Sequence, residues 1–117
     1  MLKSIGAMLL GVVLVCSTAA APTDAAAAGD AAAGDADAGD ERYHESCHAC
    51  HGPAGKGASS YPKVSGNPVE YTREKLIAYR SGQRFGPNSP LMIIMAKPLS
   101  DEEIDNLAVY LKDAKYE

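Results

Sequence analysis

Five consecutive residues, Cys47-His48-Ala49-Cys50-His51, carry the densest chemistry in this chain. Two cysteines separated by two residues, with a histidine directly after the second, form the spacing for covalent haem attachment. Residues i and i+3 share a face of a helical turn, so both thiols can add to vinyl groups of one porphyrin. His51 then lies beneath the ring, where its imidazole can reach the iron. One short segment thus supplies two tethers and one axial ligand, a set suited to moving electrons. Competing chemistries fit less well. Structural zinc takes four Cys or His ligands, usually from two such clusters, and Cys16 and His44 make a poor second cluster. A dithiol redox pair belongs near a βαβ pattern, and the sequence has none.

Iron held by one histidine needs a sixth ligand or stands open, and Met with His is an electron-transfer combination. Of four methionines, Met1 and Met8 lie in an N-terminal leader, leaving Met92 and Met95. Either is equally suited to gap-filling in a core, and the residue types alone leave both open. His44 precedes Cys47 too closely to reach the opposite haem face, and His48 should point away from the iron.

The elements that must position these groups are helical. One stretch covers residues 38–47 and runs into the cysteine motif. A second covers residues 73–81, with Leu76, Ile77 and Tyr79 apolar and Gly82 placed as a C-terminal cap. The third is the clearest. Ser100 and Glu103 make a capping-box pattern, Asp101 and Glu102 suit the positive helix start, and Ile104, Leu107, Ala108 and Leu111 follow as one buried stripe. Residues 52–66 and 82–90 are rich in Gly, Pro, Ser and Asn and read as loops. No convincing alternating strand is present, so the expected fold class is all-α. With no Trp and one Phe, a domain this small would rely on a porphyrin for much of its core.

Residues 1–21 have the layout of a secretory signal: a basic start at Lys3, an apolar run over 5–15, and Ala19-Ala20-Ala21 as the cleavage site. Retention as an anchor is the second option, and lipid attachment at Cys16 the third. Residues 22–38 are a low-complexity Ala/Gly/Asp segment without aromatic or branched apolar residues, expected to form a flexible linker. Residues 39–117 form the expected domain. From Glu41 onward ten basic and ten acidic residues balance, so the −4 charge comes from the N-terminal part. No basic stripe with interleaved aromatics is present, and nucleic-acid binding is not expected.

Taken together, residues 39–117 resemble the class I c-type cytochromes of the small single-haem bacterial kind. Cys47, Cys50 and His51 match the attachment motif. Gly39-x-x-x-Tyr43-x-x-x-Cys47 resembles the first helix, and Leu107-x-x-Tyr110 the last helix that crosses it. Tyr61-Pro62-Lys63-Val64-Ser65-Gly66 resembles the segment whose proline carbonyl accepts the second imidazole N–H of the iron ligand. Leu76-x-x-Tyr79-Arg80-Ser81-Gly82-x-Arg84 resembles the helix and turn that follow. Residues 91–96, followed by Leu99-Ser100, resemble the ligand loop, in which Met92 aligns with the sulfur ligand and Met95 is the fallback. Asn67 stands where relatives often carry Gln, and residues 85–90 fall where the family varies.

The resemblance implies three to five helices wrapped around one covalently bound haem c. It implies a one-electron carrier, not an enzyme, cycling between ferrous and ferric iron with His51/Met92 ligation and Pro62 behind His51. It also implies export to the bacterial periplasm and redox proteins as partners, with membrane tethering if the leader is retained. Two other functions stay in view: a cytochrome subunit of a larger dehydrogenase or oxidase, and an open-site haem enzyme or gas sensor.

Overall fold

Capping decides where the strongest helix begins. In the computed structural model, which describes residues 33–116, Ser100 Oγ accepts from Glu103 N at 3.1 Å while Glu103 Oε2 accepts from Ser100 N at 2.8 Å. Helix α5 (Asp101–Asp113) follows this reciprocal cap and buries Ile104, Asn106, Leu107, Ala108 and Leu111. Helix α1 (Ala36–Ser46) is capped by Asp35, whose carboxylate accepts from Asp37 N and Ala38 N. A single turn, α2 (His48–His51), continues from it through Cys47, and a 3-10 turn covers Pro53–Gly55. Helices α3 (Val69–Arg80) and α4 (Ser89–Ala96) complete the set. No strand occurs among the described residues, only one isolated bridge between Ala58 and Tyr61. The fold class is all-α.

Three boundaries differ from the sequence expectation. Helix α1 starts at Ala36, and the linker expected over 22–38 gives way earlier. Gly34 packs against Asp105 and Val109, and Asp35 N donates to Asn106 Oδ1 at 2.7 Å. Tertiary contact with α5, invisible in a low-complexity stretch, orders these residues. Helix α3 starts at Val69, four residues early, because Pro68 supplies the fixed φ of a helix start. Residues 91–96, expected as loop, are helical. Ser89 Oγ accepts from Phe85 N and Gly86 N, and Pro90 sits in the first turn, so the Asn-Ser-Pro run starts a helix. The leader and Cys16 lie outside the described residues.

The α1–α5 crossing organises the domain. A Cβ on Gly39 would be driven into the Asn106 carbonyl and crowd the Tyr110 Cβ, so only glycine permits this approach. Tyr43, one turn on, is fully buried with Ile104 and Leu107. Its ring lies 5.5 Å from that of Tyr110, and its hydroxyl donates to Gly52 O at 2.6 Å. At the other end of the core, Arg80 donates to Leu99 O at 3.1 Å and to Asp101 at 2.6 Å, joining the end of α3 to the start of α5. Helix α3 ends on a paired motif: Gly82 N donates to Tyr79 O, Gln83 N to Ala78 O, and Gly82 takes φ +93.

Two outcomes test this packing. Gly39→Ala gains about 1 kcal/mol of helix propensity but overpacks the crossing at a cost of about 3 kcal/mol, so denaturant unfolding should show net destabilisation. Burial pushes the Tyr43 phenol from 10 up to about 12. A raised folded-state value means its contribution is complete below pH 10 and is lost as pH rises through 12. Stability of the holoprotein should therefore fall across that window, and less steeply in Tyr43→Phe.

Candidate haem site

Cys47 ends α1 and begins α2, so the α1–α5 crossing fixes where the motif stands. Its carbonyl accepts from Cys50 N at 3.3 Å and His51 N at 3.0 Å, which closes the turn carrying all three residues. Cys50 is exposed, whereas Cys47 packs on the core cluster and burial pushes its thiol up. Gly52 then leaves the turn at φ +77, a left-handed conformation that favours glycine. The loop folds back at once: Gly57 N donates to His51 O at 2.7 Å, and Val64 N to Gly55 O at 2.8 Å. Gly66 N donates to Leu111 O at 2.9 Å, tying the loop to the end of α5.

This return brings Pro62 to His51. His51 is buried, and its Nδ1 lies 2.8 Å from the Pro62 carbonyl oxygen. A carbonyl only accepts, so Nδ1 carries the proton and Nε2 keeps its lone pair for a metal.

Beside His51 opens a cavity of about 410 Å³, lined in part by Cys47, Cys50, Pro62, Met92 and Met95. A second cavity of about 230 Å³ lies deeper, towards Leu107 and Leu111, and shares Cys47, His51, Pro62, Val64, Tyr79 and Met92 with the first. The shared walls make them one cleft. Met92 is half-buried and borders both parts; Met95 is 44% exposed and borders the outer part alone. The outer edge is held by Phe85, packed edge-on to Tyr79 at 5.2 Å with Lys75 Nζ 3.6 Å above its ring.

The cleft's chemistry suits a flat, mostly apolar, anionic metal complex. It offers two thiols on one turn, an imidazole with a free nitrogen and two thioethers. No Asp or Glu borders it among the described residues, while Lys63 and Lys75 do. Thr72 borders the deeper part, and its buried hydroxyl has no hydrogen-bond partner among the described residues. Such an orphan costs about 1–3 kcal/mol unless something in the cleft satisfies it.

A family profile described as cytochrome c matches residues 36–115, well over half of the chain. The chain belongs to the cytochrome c family. It is 47% identical over 66 residues to cytochrome c-554(548) of Halomonas halodenitrificans, covering 56% of this chain and 80% of that protein. It is 39% identical over 71 residues to the thiosulfate dehydrogenase electron acceptor of Stutzerimonas stutzeri, where it spans 60% of this chain and 33% of the relative. The crystal structure of reduced recombinant cytochrome c4 from Pseudomonas stutzeri superposes with a TM-score of 0.60 at 28% identity. That match covers 74% of this chain and 50% of the other. The fold is therefore that of the class I cytochromes, and the cofactor is covalently attached haem c, for which Cys47, Cys50 and His51 supply the motif. The family is one of electron carriers that work with redox partners.

Sequence reasoning brought Cys47, Cys50, His51, Pro62, Met92 and Met95 forward, and the fold gathers all six around the cleft. It passed over Thr72, whose only signal is its spacing of four and seven residues from Leu76 and Tyr79 on the same helix face. A His51→Ala protein is expected to lose nearly all stable low-spin haem, read by absorption and by the mass of the intact protein. A normal low-spin spectrum from that variant would refute the site.

Proposed function

We propose that this protein carries single electrons between redox partners in the bacterial periplasm, with His51 and Met92 as the axial ligands of its haem iron and Met95 as the fallback. The haem supplies the reversible Fe(II)/Fe(III) couple. The observation that carries the reading is the placement of Met92 on the wall common to both parts of the cleft that His51 borders. Pro62 holds the His51 ring in one tautomer and orientation, which keeps its ligation alike in both oxidation states. Cys47 and Cys50 tether the ring and prevent its loss. A thioether opposite a histidine raises the potential relative to two histidines and occupies the position a gas or peroxide would need, which favours a carrier over an enzyme or sensor.

The exposed Cys50 turn is the expected docking edge, and contacts there are small and transient, as in other redox encounters. Periplasmic residence rests on the signal-like layout of residues 1–21, with residues 22–38 in part as tether or tail. Among the described residues no helix is long and apolar enough to cross a membrane. A second reading, as the cytochrome module serving a dehydrogenase, draws on relatives named thiosulfate dehydrogenase electron acceptor, of which this chain spans about a third.

Variants at the two methionines test the ligation. Met92→Ala should lose the sulfur-to-ferric-iron absorption band and lower the reduction potential, within the roughly 0.8 V span that axial ligation covers. Met95→Ala should leave both near wild type. The reverse pattern transfers the role to Met95. A wild-type spectrum that changes on adding CO would instead mean an open iron site.

A further inference from the structure

Thr72 is the fourth residue of α3, and it is 7% exposed. A helical threonine commonly turns its hydroxyl back to the carbonyl four residues earlier. Here that carbonyl, of Pro68, receives the Thr72 backbone N–H at 3.3 Å, and the hydroxyl makes no hydrogen bond among the described residues. The side chain borders the deeper part of the haem cleft instead. The start of α3 has no side-chain cap, so its positive end also favours an anion nearby.

The surrounding charges agree with an anionic neighbour. Lys63 from the Pro62 loop and Lys75 from α3 border the same part of the cleft, with the amide of Asn67 between them in sequence. Tyr71 and Tyr79 from α3, Tyr43 from α1, and the motif residues Cys47 and His51 are the other titratable groups there. Helices α4 and α5 contribute Met92, Leu107 and Leu111, none of them charged. Arg73 is engaged elsewhere, with Asp105 at 2.9 Å. The anionic groups of haem c are its two propionate carboxylates. A carboxylate is a strong acceptor, and hydrogen bonds to it are charge-assisted, whereas a thioether sulfur accepts weakly.

We infer that the Thr72 hydroxyl donates a hydrogen bond to a haem propionate, making Thr72 a positioning residue for that end of the cofactor. The bond satisfies the one buried hydroxyl left without a partner among the described residues. It also favours the ionised carboxylate and so sets where the propionate titrates.

The test compares Thr72→Val and Thr72→Ser holoproteins with wild type. Valine keeps the shape and removes the donor; serine keeps the donor. Resonance Raman should show the propionate-bending band displaced in Thr72→Val and restored in Thr72→Ser. The pH at which the reduction potential begins to fall should move upward in Thr72→Val and not in Thr72→Ser, because a carboxylate that loses a donor holds its proton more tightly. The sulfur-to-iron band should be unchanged in both variants, so a failure of Met92 ligation, visible already in wild type, is read separately. Thr72→Ala, which also lacks the hydroxyl, provides the same comparison without added bulk. A propionate band and pH profile identical to wild type in Thr72→Val and Thr72→Ala would overturn the inference. So would a change confined to the sulfur-to-iron band, which would give the hydroxyl to Met92.

Discussion

The contact between Gly39 and the Asn106 carbonyl is the constraint on which the rest of the domain depends. It sets how closely α1 and α5 approach, and that spacing puts Tyr43 wholly inside, against Ile104 and Leu107. Tyr43 in turn reaches across to the Gly52 carbonyl, just past the motif, so the crossing and the attachment turn are joined by one buried hydrogen bond. Two turns of α1 beyond Gly39 comes Cys47. The position of the thiols is thus a consequence of helix packing at the other end of the same helix.

The two sides of the domain are built on different terms. On the α1–α5 side, apolar side chains meet one another and the core is conventional. On the α4 side, Leu91, Ile94 and Met95 are large, apolar and exposed. Helix α4 carries almost no polar residue beyond its first turn, a composition that protein contacts alone do not explain. Covalent haem accounts for Leu91, Met92 and Met95, which border the cleft where a porphyrin would cover them; Ile94 does not border it. A chain of this size cannot supply a second layer of side chains. Fold stability and cofactor retention are on this account one property.

Much of this was legible in the sequence, and the reasons are local. The Cys-x-x-Cys-His spacing needs only one helical turn to make sense, and Ser100 with Glu103 specifies a helix start within four residues. The segments that differed depend on distant partners. Gly34 and Asp35 are ordered by α5, more than seventy residues away in sequence. Residues 91–96 contain β-branched Ile93 and Ile94 beside a Pro and lack an amphipathic pattern, so no periodicity marks them as a helix. Their helix is started by the Ser89 hydroxyl, which accepts from two upstream amides. Thr72 was overlooked because its spacing from Leu76 and Tyr79 marks only a shared helix face; its burial without a partner among the described residues is what distinguishes it.

The seam that Gly34 and Asp35 form with Asp105, Asn106 and Val109 has a geometric consequence. None of those five residues borders the haem cleft, and among the described residues no cleft residue precedes Tyr43. The described residues therefore begin at a seam that takes no part in the cleft wall. The seam and the haem-bearing edge are separate parts of the surface, and the described chain begins at the one that holds no cofactor.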